Sequence, residues 1–270
     1  MSQPLSAKDS ISPGAFESEV ALIINDDADH VRKELASINH ISEYDLAPKQ
    51  RWIIYDTYYD TSDNSLRRRK ISLRTRRLDG ILLISTKSDV RRVAGNIIRR
   101  RELELPWAYD SVRRLARKLK LETPTTSVSQ FQNTPVSRTL ATMGLKIIQE
   151  RQTQREVRDV FRRNNRTTSI LAEMAIDKVT YAFENVNVVL SEVEVEAKSA
   201  RSLADVREIA DALVSKYHPM LRQWFHGKFV TGLAIRKLLE NRTLQSYLLN
   251  GDLKPEAFEL IDRTARSRRF

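Results

Sequence analysis

The chain has 270 residues, 41% of them apolar and 30% charged, with no cysteine and a formal net charge of +11. That length suits one large domain or two small ones, and the lack of cysteine excludes disulfides and thiolate metal sites and fits a reducing, cytoplasmic compartment. The positive balance points to an anionic partner such as a polyphosphate, a nucleotide, nucleic acid or an acidic membrane surface, while no apolar run reaches the roughly 20 residues needed to span a bilayer.

Residues 1–15 carry Ser, Pro and Gly without an apolar core and read as a flexible leader, not a secretory signal. FESEVALII opens the first strand, over 16–25, with Glu17, Glu19 and Ala21 on one face by period-2 geometry. Asp26, Asp27 and Asp29 then precede a helix of about ten residues, since acids favour a helix N-terminus. Aromatic and β-branched residues predict a strand over 51–61, another over 65–77, and a hairpin partner, ILLISTK, after the turn Leu78-Asp79-Gly80. Gly95-Asn96 marks a further turn before a strand over 97–105. A helix is expected over 109–120, then a loop over 122–144 with one short helix. Strands over 145–163, 168–184 and 187–198 follow, then a Ser-capped helix over 202–217 and a long helix over 228–249 closed by Gly251. Pro255 opens a last basic helix, and RTARSRRF reads as a solvated tail.

The strand faces carry the functional signal. In 65–77, Ile71, Leu73 and Thr75 alternate with Lys70, Ser72, Arg74 and Arg76. In 187–198, Val189, Val193, Val195 and Ala197 alternate with Glu192, Glu194, Glu196 and Lys198; in 97–105, Leu103 and Leu105 alternate with Glu102 and Glu104. An ordinary sheet with one solvated face also shows alternation, but its wet face mixes signs, whereas these faces are sorted by charge. Several amphipathic helices also need an apolar sheet face to cover. If they cover the outside, the charged face points into a barrel, where its charges must be paired or ligand-bound. Period-2 carboxylates offer hard oxygens suited to Mg²⁺ or Mn²⁺, and arginines clamp phosphate oxygens. The expected class is therefore α+β: an eight-stranded antiparallel β-barrel with surrounding helices, built to hold a metal and a polyphosphate.

The block Tyr58–Arg77, YYDTSDNSLRRRKISLRTRR, resembles the corresponding block of CYTH domain proteins, the triphosphate tunnel metalloenzymes. FESEVA, Ile84–Lys87, Arg101 with Glu102 and Glu104, Ala175-Ile176-Asp177, EVEVEAK and GKFVTGL resemble further family blocks, in the family's order, across roughly residues 16–235. The resemblance implies a CYTH-like tunnel domain over 16–240, with residues 241–270 a basic C-terminal helical extension. It implies a divalent-metal-dependent hydrolase acting on a triphosphate-containing small molecule: tripolyphosphate, a nucleoside triphosphate or thiamine triphosphate. Metal ligands would be Glu17, Glu19, Asp177, Glu194 and Glu196; phosphate would be held by Arg74, Arg76, Lys87, Arg155 and Lys228; Glu17, Glu19, Glu102 and Glu104 would take part in catalysis. Nothing points to a covalent route, since there is no cysteine and no recognisable Ser/His pair.

One position departs from the family pattern. The first-strand motif normally ends in lysine, and here Ala21 stands there. The alternative reading is thus a non-catalytic polyphosphate or nucleotide binder, unless Lys198 or Lys70 supplies the missing cation. A class IV-type adenylate cyclase ranks lower, because Phe16 has no histidine beside it, and a nucleic-acid binder is not favoured, because aromatic RNA-binding motifs are absent. Arg67 and Arg69 are expected outside or at a rim, Asp60 in a structural turn, and Trp52, Trp107 and Trp224 in packing. The four histidines show no metal-ligand spacing.

Overall fold

Alternating apolar and charged residues build long strands here, two of which run for 18 residues. The computed structural model describes residues 16–93, 97–124, 127–163 and 169–267. In chain order the elements are β1 (Phe16–Ile24), α1 (Ala28–Ser37), β2 (His40–Ile41), β3 (Tyr44–Thr61), α2 (Ser65–Arg68), β4 (Ser72–Leu78), β5 (Ile81–Val93) and β6 (Ile97–Pro106). They continue with α3 (Tyr109–Leu119), α4 (Val128–Asn133), α5 (Val136–Ala141), β7 (Leu145–Arg162), β8 (Ala172–Ala182), β9 (Asn187–Ala197) and α6 (Leu203–Lys216). The last are β10 (Leu221–Trp224), α7 (Lys228–Glu240), β11 (Leu248–Leu249), β12 (Asp252–Leu253) and α8 (Ala257–Ser267).

The hydrogen-bonded strand order is β1, β6, β5, β4, β3, β7, β8, β9, and β1 also pairs with β9, so eight strands close into a ring. The mixed α+β class agrees with the sequence. The short strands β2, β10, β11 and β12 were not expected, because two to four residues carry too little periodicity to read. The expected turn at Gly95-Asn96 lies outside the described residues, as does the leader over 1–15.

Three expectations are corrected. Residues 65–68 are helical, not strand. Asp60, fully buried, accepts hydrogen bonds from the backbone N–H groups of Thr61, Leu66 and Arg67, and Thr61 Oγ1 accepts from Ser65 N–H. Local side-chain acceptors thus outcompete the ladder, and β4 starts only at Ser72. The helix over 228–249 stops at Glu240, and Asn250-Gly251, with φ 53° and 93°, turns the β11–β12 hairpin instead of ending a helix. The C-terminal stretch is not a solvated tail as far as Ser267: Ala265 is buried and Arg266 pairs with Asp262 at 2.8 Å. Smaller differences are a second short helix in 122–144, and Ser202, whose hydroxyl pairs with Ser199 Oγ instead of capping α6.

Two compact units result. Unit 1 comprises residues up to Glu17, Asp56–Val90 and Arg100–Ile148; unit 2 comprises Ser18–Tyr55, Arg91–Arg99 and Gln149 onward. In unit 1, Leu73, Ile84 and Leu103 from one sheet face pack with Val112, Leu115, Ala116 and Leu119 of α3. The Asp79-Gly80 turn, with φ 47° and 78°, sets the β4–β5 register that brings Arg74 opposite Ser85 and Ser72 opposite Lys87.

In unit 2, Val20, Leu22, Met174, Ile176, Val193 and Val195 pack with α1 and α6. The opposite face of β1, β8 and β9 is split. Its apolar part (Ala21, Ile23, Val179, Tyr181 and Leu190) packs with Trp224, α7 and α8; its polar part bears Asp177, Glu192 and Glu194. Gly232 lets α7 sit tightly, since a Cβ there would come 2.6 Å from the Tyr181 ring.

Candidate active site

The register in unit 2 lines up Arg155 on β7, Asp177 on β8 and Glu192 on β9, and places Glu194 two residues along the same face. Arg155 forks onto Asp177, Nε to Oδ1 at 2.8 Å and Nη2 to Oδ2 at 2.6 Å, and Nη2 also reaches Glu194 Oε2 at 2.6 Å. From the first residue of α7, Lys228 Nζ lies 2.9 Å from Asp177 and 2.7 Å from Glu194, and contacts Glu192. The Tyr181 hydroxyl holds the Lys228 carbonyl at 2.8 Å, fixing where the helix begins. Asp177, Glu192 and Lys228 are all buried.

Burial, reinforced by Glu194 and Asp177 and opposed by Lys228, pushes the Glu192 carboxyl up to about 7. Burial works against the Lys228 charge, but Glu192, Glu194 and Asp177 outweigh it and raise its pKa above the ordinary lysine value. Arg155 is likewise held well above the usual arginine value by Asp177 and Glu194, against burial.

Unit 1 holds a second cluster. Arg76 forks onto Asp56, Nε to Oδ1 at 2.8 Å and Nη2 to Oδ2 at 3.0 Å. Arg74 donates from Nε to Ser85 Oγ at 2.9 Å and from Nη2 to Glu102 Oε1 at 3.0 Å, with Asp56 at 3.6 Å and Glu104 at 3.7 Å. Lys87 Nζ bridges Glu17 at 2.7 Å and Glu102 at 3.2 Å, and Arg100 Nε donates to Glu17 at 3.1 Å. Burial opposes the Arg74 and Lys87 charges, yet their carboxylate neighbours raise both pKa values.

The CYTH domain family profile matches residues 17–222, more than three quarters of the chain. The chain belongs to the CYTH domain family. No curated protein sequence matches it. Among solved structures, the CYTH chain is similar to an adenylyl cyclase candidate from Hippeastrum described as having a dominant triphosphatase activity. That likeness has TM-score 0.51 and 15% identity, and covers 81% of this chain and 95% of that one. It is also similar to an adenylate cyclase candidate from Bacillus halodurans, with TM-score 0.48, 17% identity and coverage of 81% and 97%. A third similar structure is a Pyrococcus horikoshii protein, with TM-score 0.47, 15% identity and coverage of 82% and 99%. Lys228 lies beyond the matched residues of the CYTH chain, so its place in the cluster comes from the packing of α7.

The CYTH chain brings most of the residues singled out in its sequence into these two clusters. Glu17, Arg74, Arg76, Lys87, Glu102 and Glu104 meet in unit 1, and Arg155, Asp177, Glu194 and Lys228 in unit 2. Glu19, buried in unit 2, sits opposite Glu196 in the β1–β9 register. Glu196 does not join the acidic group; Glu192 does, and Lys198 stands 3.9 Å from Glu196. Three residues were missed. Glu192 lay on a charged strand face without being chosen, Asp56 alternates with Trp52, Ile54 and Tyr58 and gave no charged-face signal, and Arg100, not Arg101, shares the parity of Glu102 and Glu104. Arg101 is exposed and lies over the Phe16 ring.

Asp177, Glu192 and Glu194 each offer an oxygen within 4.8 Å of the others. Glu192 Oε1 contacts Lys228 Nζ, and among the described residues its Oε2 has no hydrogen-bond partner although the side chain is buried. Three hard-oxygen donors gathered this closely fit a Mg²⁺- or Mn²⁺-sized cation.

Proposed function

We propose that this CYTH chain hydrolyses a small triphosphate-containing substrate with a divalent cation, its strand ring enclosing the substrate as a tunnel. The observation that carries the proposal is the acidic group Asp177, Glu192 and Glu194 set directly against Arg155 and Lys228. A triphosphate brings about four negative charges, and phosphoryl transfer is accelerated mainly by positioning and by neutralising charge in a dry site.

Arg155 and Lys228 in unit 2, and Arg74, Arg76 and Lys87 in unit 1, carry ammonium and guanidinium groups, buried in Arg74 and Lys228 and half-buried in the others, that can exchange carboxylate partners for phosphate oxygens. Asp177, Glu192 and Glu194 would hold the cation; the family resemblance also assigns Glu17, Glu19 and Glu196 to metal, but Glu17 pairs with Lys87 and Arg100 and Glu196 stands outside the acidic group. A bound Mg²⁺ or Mn²⁺ would polarise a phosphoryl oxygen. Glu102 and Glu104 orient the attacking water and take its proton as its oxygen bonds to the terminal phosphorus and the bridging P–O bond breaks.

Ala21 stands where the family motif has lysine, and it is packed between Trp224 and Glu194 in register. Lys70 is exposed in a positive-φ turn, and Lys198 pairs with Glu173 at 3.2 Å. The ammonium facing Glu194 is that of Lys228. The second reading, a binder without turnover, rests on Ala21.

Phosphate release from tripolyphosphate, ATP and thiamine triphosphate with Mg²⁺ or Mn²⁺ tests the hydrolase, with cyclic AMP measured in the ATP reaction. Turnover with at least one substrate is expected. Binding without release in all of them selects the second reading, and cyclic AMP as the main product overturns both.

A further inference from the structure

Helix α3 buries Val112, Leu115, Ala116 and Leu119, and every exposed residue from Arg113 to Lys120 is cationic: Arg113, Arg114, Arg117, Lys118 and Lys120. Among the described residues, none of the five makes an ion pair. Like charges stand four apart at Arg113/Arg117 and Arg114/Lys118, an arrangement that destabilises a helix. The exposed face of α6 is different, since it mixes Arg207 and Lys216 with Glu208 and Asp211. The α3 face is therefore not an ordinary solvated surface.

The patch extends beyond the helix. Arg69 Nη1 donates to the Leu119 carbonyl at 2.6 Å, bringing exposed Arg69 to the C-terminal end of α3; Arg68 and Lys70, its exposed chain neighbours, continue the run. Its flanking acids are Asp63, paired with Arg68, and Asp110 and Glu122 at the two ends of α3.

We infer that this face of α3 and the α2 turn docks the phosphate backbone of a nucleic acid, without reading its sequence. The cations recur at helical steps, Arg113, Arg117 and Lys120 in one row and Arg114 and Lys118 in another. Each step along a row is about 5–6 Å, which suits a regularly spaced polyanion. Arginines predominate, and their planar forks match phosphate. A lipid surface fits less well, because the apolar side of α3 is buried and cannot insert. Base stacking is not offered either: Phe131 stacks on Trp107 at 5.3 Å and meets Tyr109 edge-on at 5.5 Å, and Tyr109 also carries Arg113 on its ring. The contact is therefore to the backbone, and it stands independently of the proposed hydrolase.

The test is fluorescence anisotropy of a short labelled RNA duplex of arbitrary sequence titrated with the full chain. If about four phosphates are neutralised, affinity should fall roughly 50- to 150-fold between 50 and 200 mM salt. Arg114→Gln/Lys118→Gln should flatten the log–log salt slope by about two, and Arg114→Glu/Lys118→Glu should weaken binding further. Both are surface changes whose folding is checked by thermal melting, and Arg207→Glu on α6 serves as the control that leaves binding unchanged. Absence of binding at 50 mM salt, or a slope that the α3 variants leave intact, overturns the inference. So does preferential binding of an acidic peptide, of long-chain polyphosphate or of anionic vesicles in parallel titrations.

Discussion

Counting only the ion pairs described above, Glu17, Asp56, Glu102 and Glu104 in unit 1 meet Arg74, Arg76, Lys87 and Arg100, four charges of each sign; in unit 2, Asp177, Glu192 and Glu194 meet Arg155 and Lys228, three against two. The ingredients are the same and the sums differ. A balanced buried network can satisfy itself. An acidic one holds its excess negative charge by shifting a pKa, as Glu192 does, or by binding a cation. In the proposed function, a bound cation would offset the acidic excess of the unit 2 group.

The comparison breaks most sharply at Lys228. Lys228→Met removes the ammonium that contacts two buried carboxylates and the half-buried Glu194, and should cost about 3–5 kcal/mol in urea unfolding and lower phosphate release by about 10²-fold or more. An unchanged midpoint would remove the argument from charge excess. Arg74→Met in the balanced cluster should cost less, because Arg76 still forks onto Asp56 and Lys87 still faces Glu102.

Glu192→Gln acts in the other direction. It evens the unit 2 sum, so without metal it should leave stability equal or higher, while abolishing the stabilisation by Mn²⁺ expected of the wild-type chain in thermal melts. That stabilisation is about 2.7 kcal/mol at a metal concentration 100 times Kd.

The smallest effect is on pH dependence. The folded-state Glu192 carboxyl sits at about 7, above its ordinary value of 4.5. Between these values the folded chain therefore binds more protons than the unfolded one, and stability falls as pH rises from about 4.5 through 7. In a chelating buffer, urea midpoints should show that decline for the wild type and a flatter profile for Glu192→Gln. Matching slopes would mean that Glu192 titrates normally.

Much of this arrangement was legible in the sequence, and the misses have identifiable causes. Arg74, Arg76, Glu102, Glu104 and Glu194 could be assigned to charged faces by counting alternate residues, and the same counting would have chosen Arg100 over Arg101 and admitted Glu192, whereas Asp56 alternates with Trp52, Ile54 and Tyr58 and gave no such signal. The Asn250-Gly251 signal for a hairpin was present but was absorbed into an apolar helical run. The short helix at Ser65 was hidden because its cause is Asp60, several residues upstream, whose carboxylate gathers the N–H groups that a strand would have used.

The sequence by itself determined which side chains share a strand face, because the two-residue period of an extended backbone is local. With that came the division into an apolar face for the helices and a charged face for chemistry. Only the tertiary structure decided which charges meet. The β7–β8–β9 register set Arg155 against Asp177 and Glu192, and the close seating of Gly232 on Tyr181 carried Lys228 in from a helix beyond the matched family segment. Register and helix docking depend on pairing between residues far apart in the chain, and backbone hydrogen bonds are indifferent to the side chains they align.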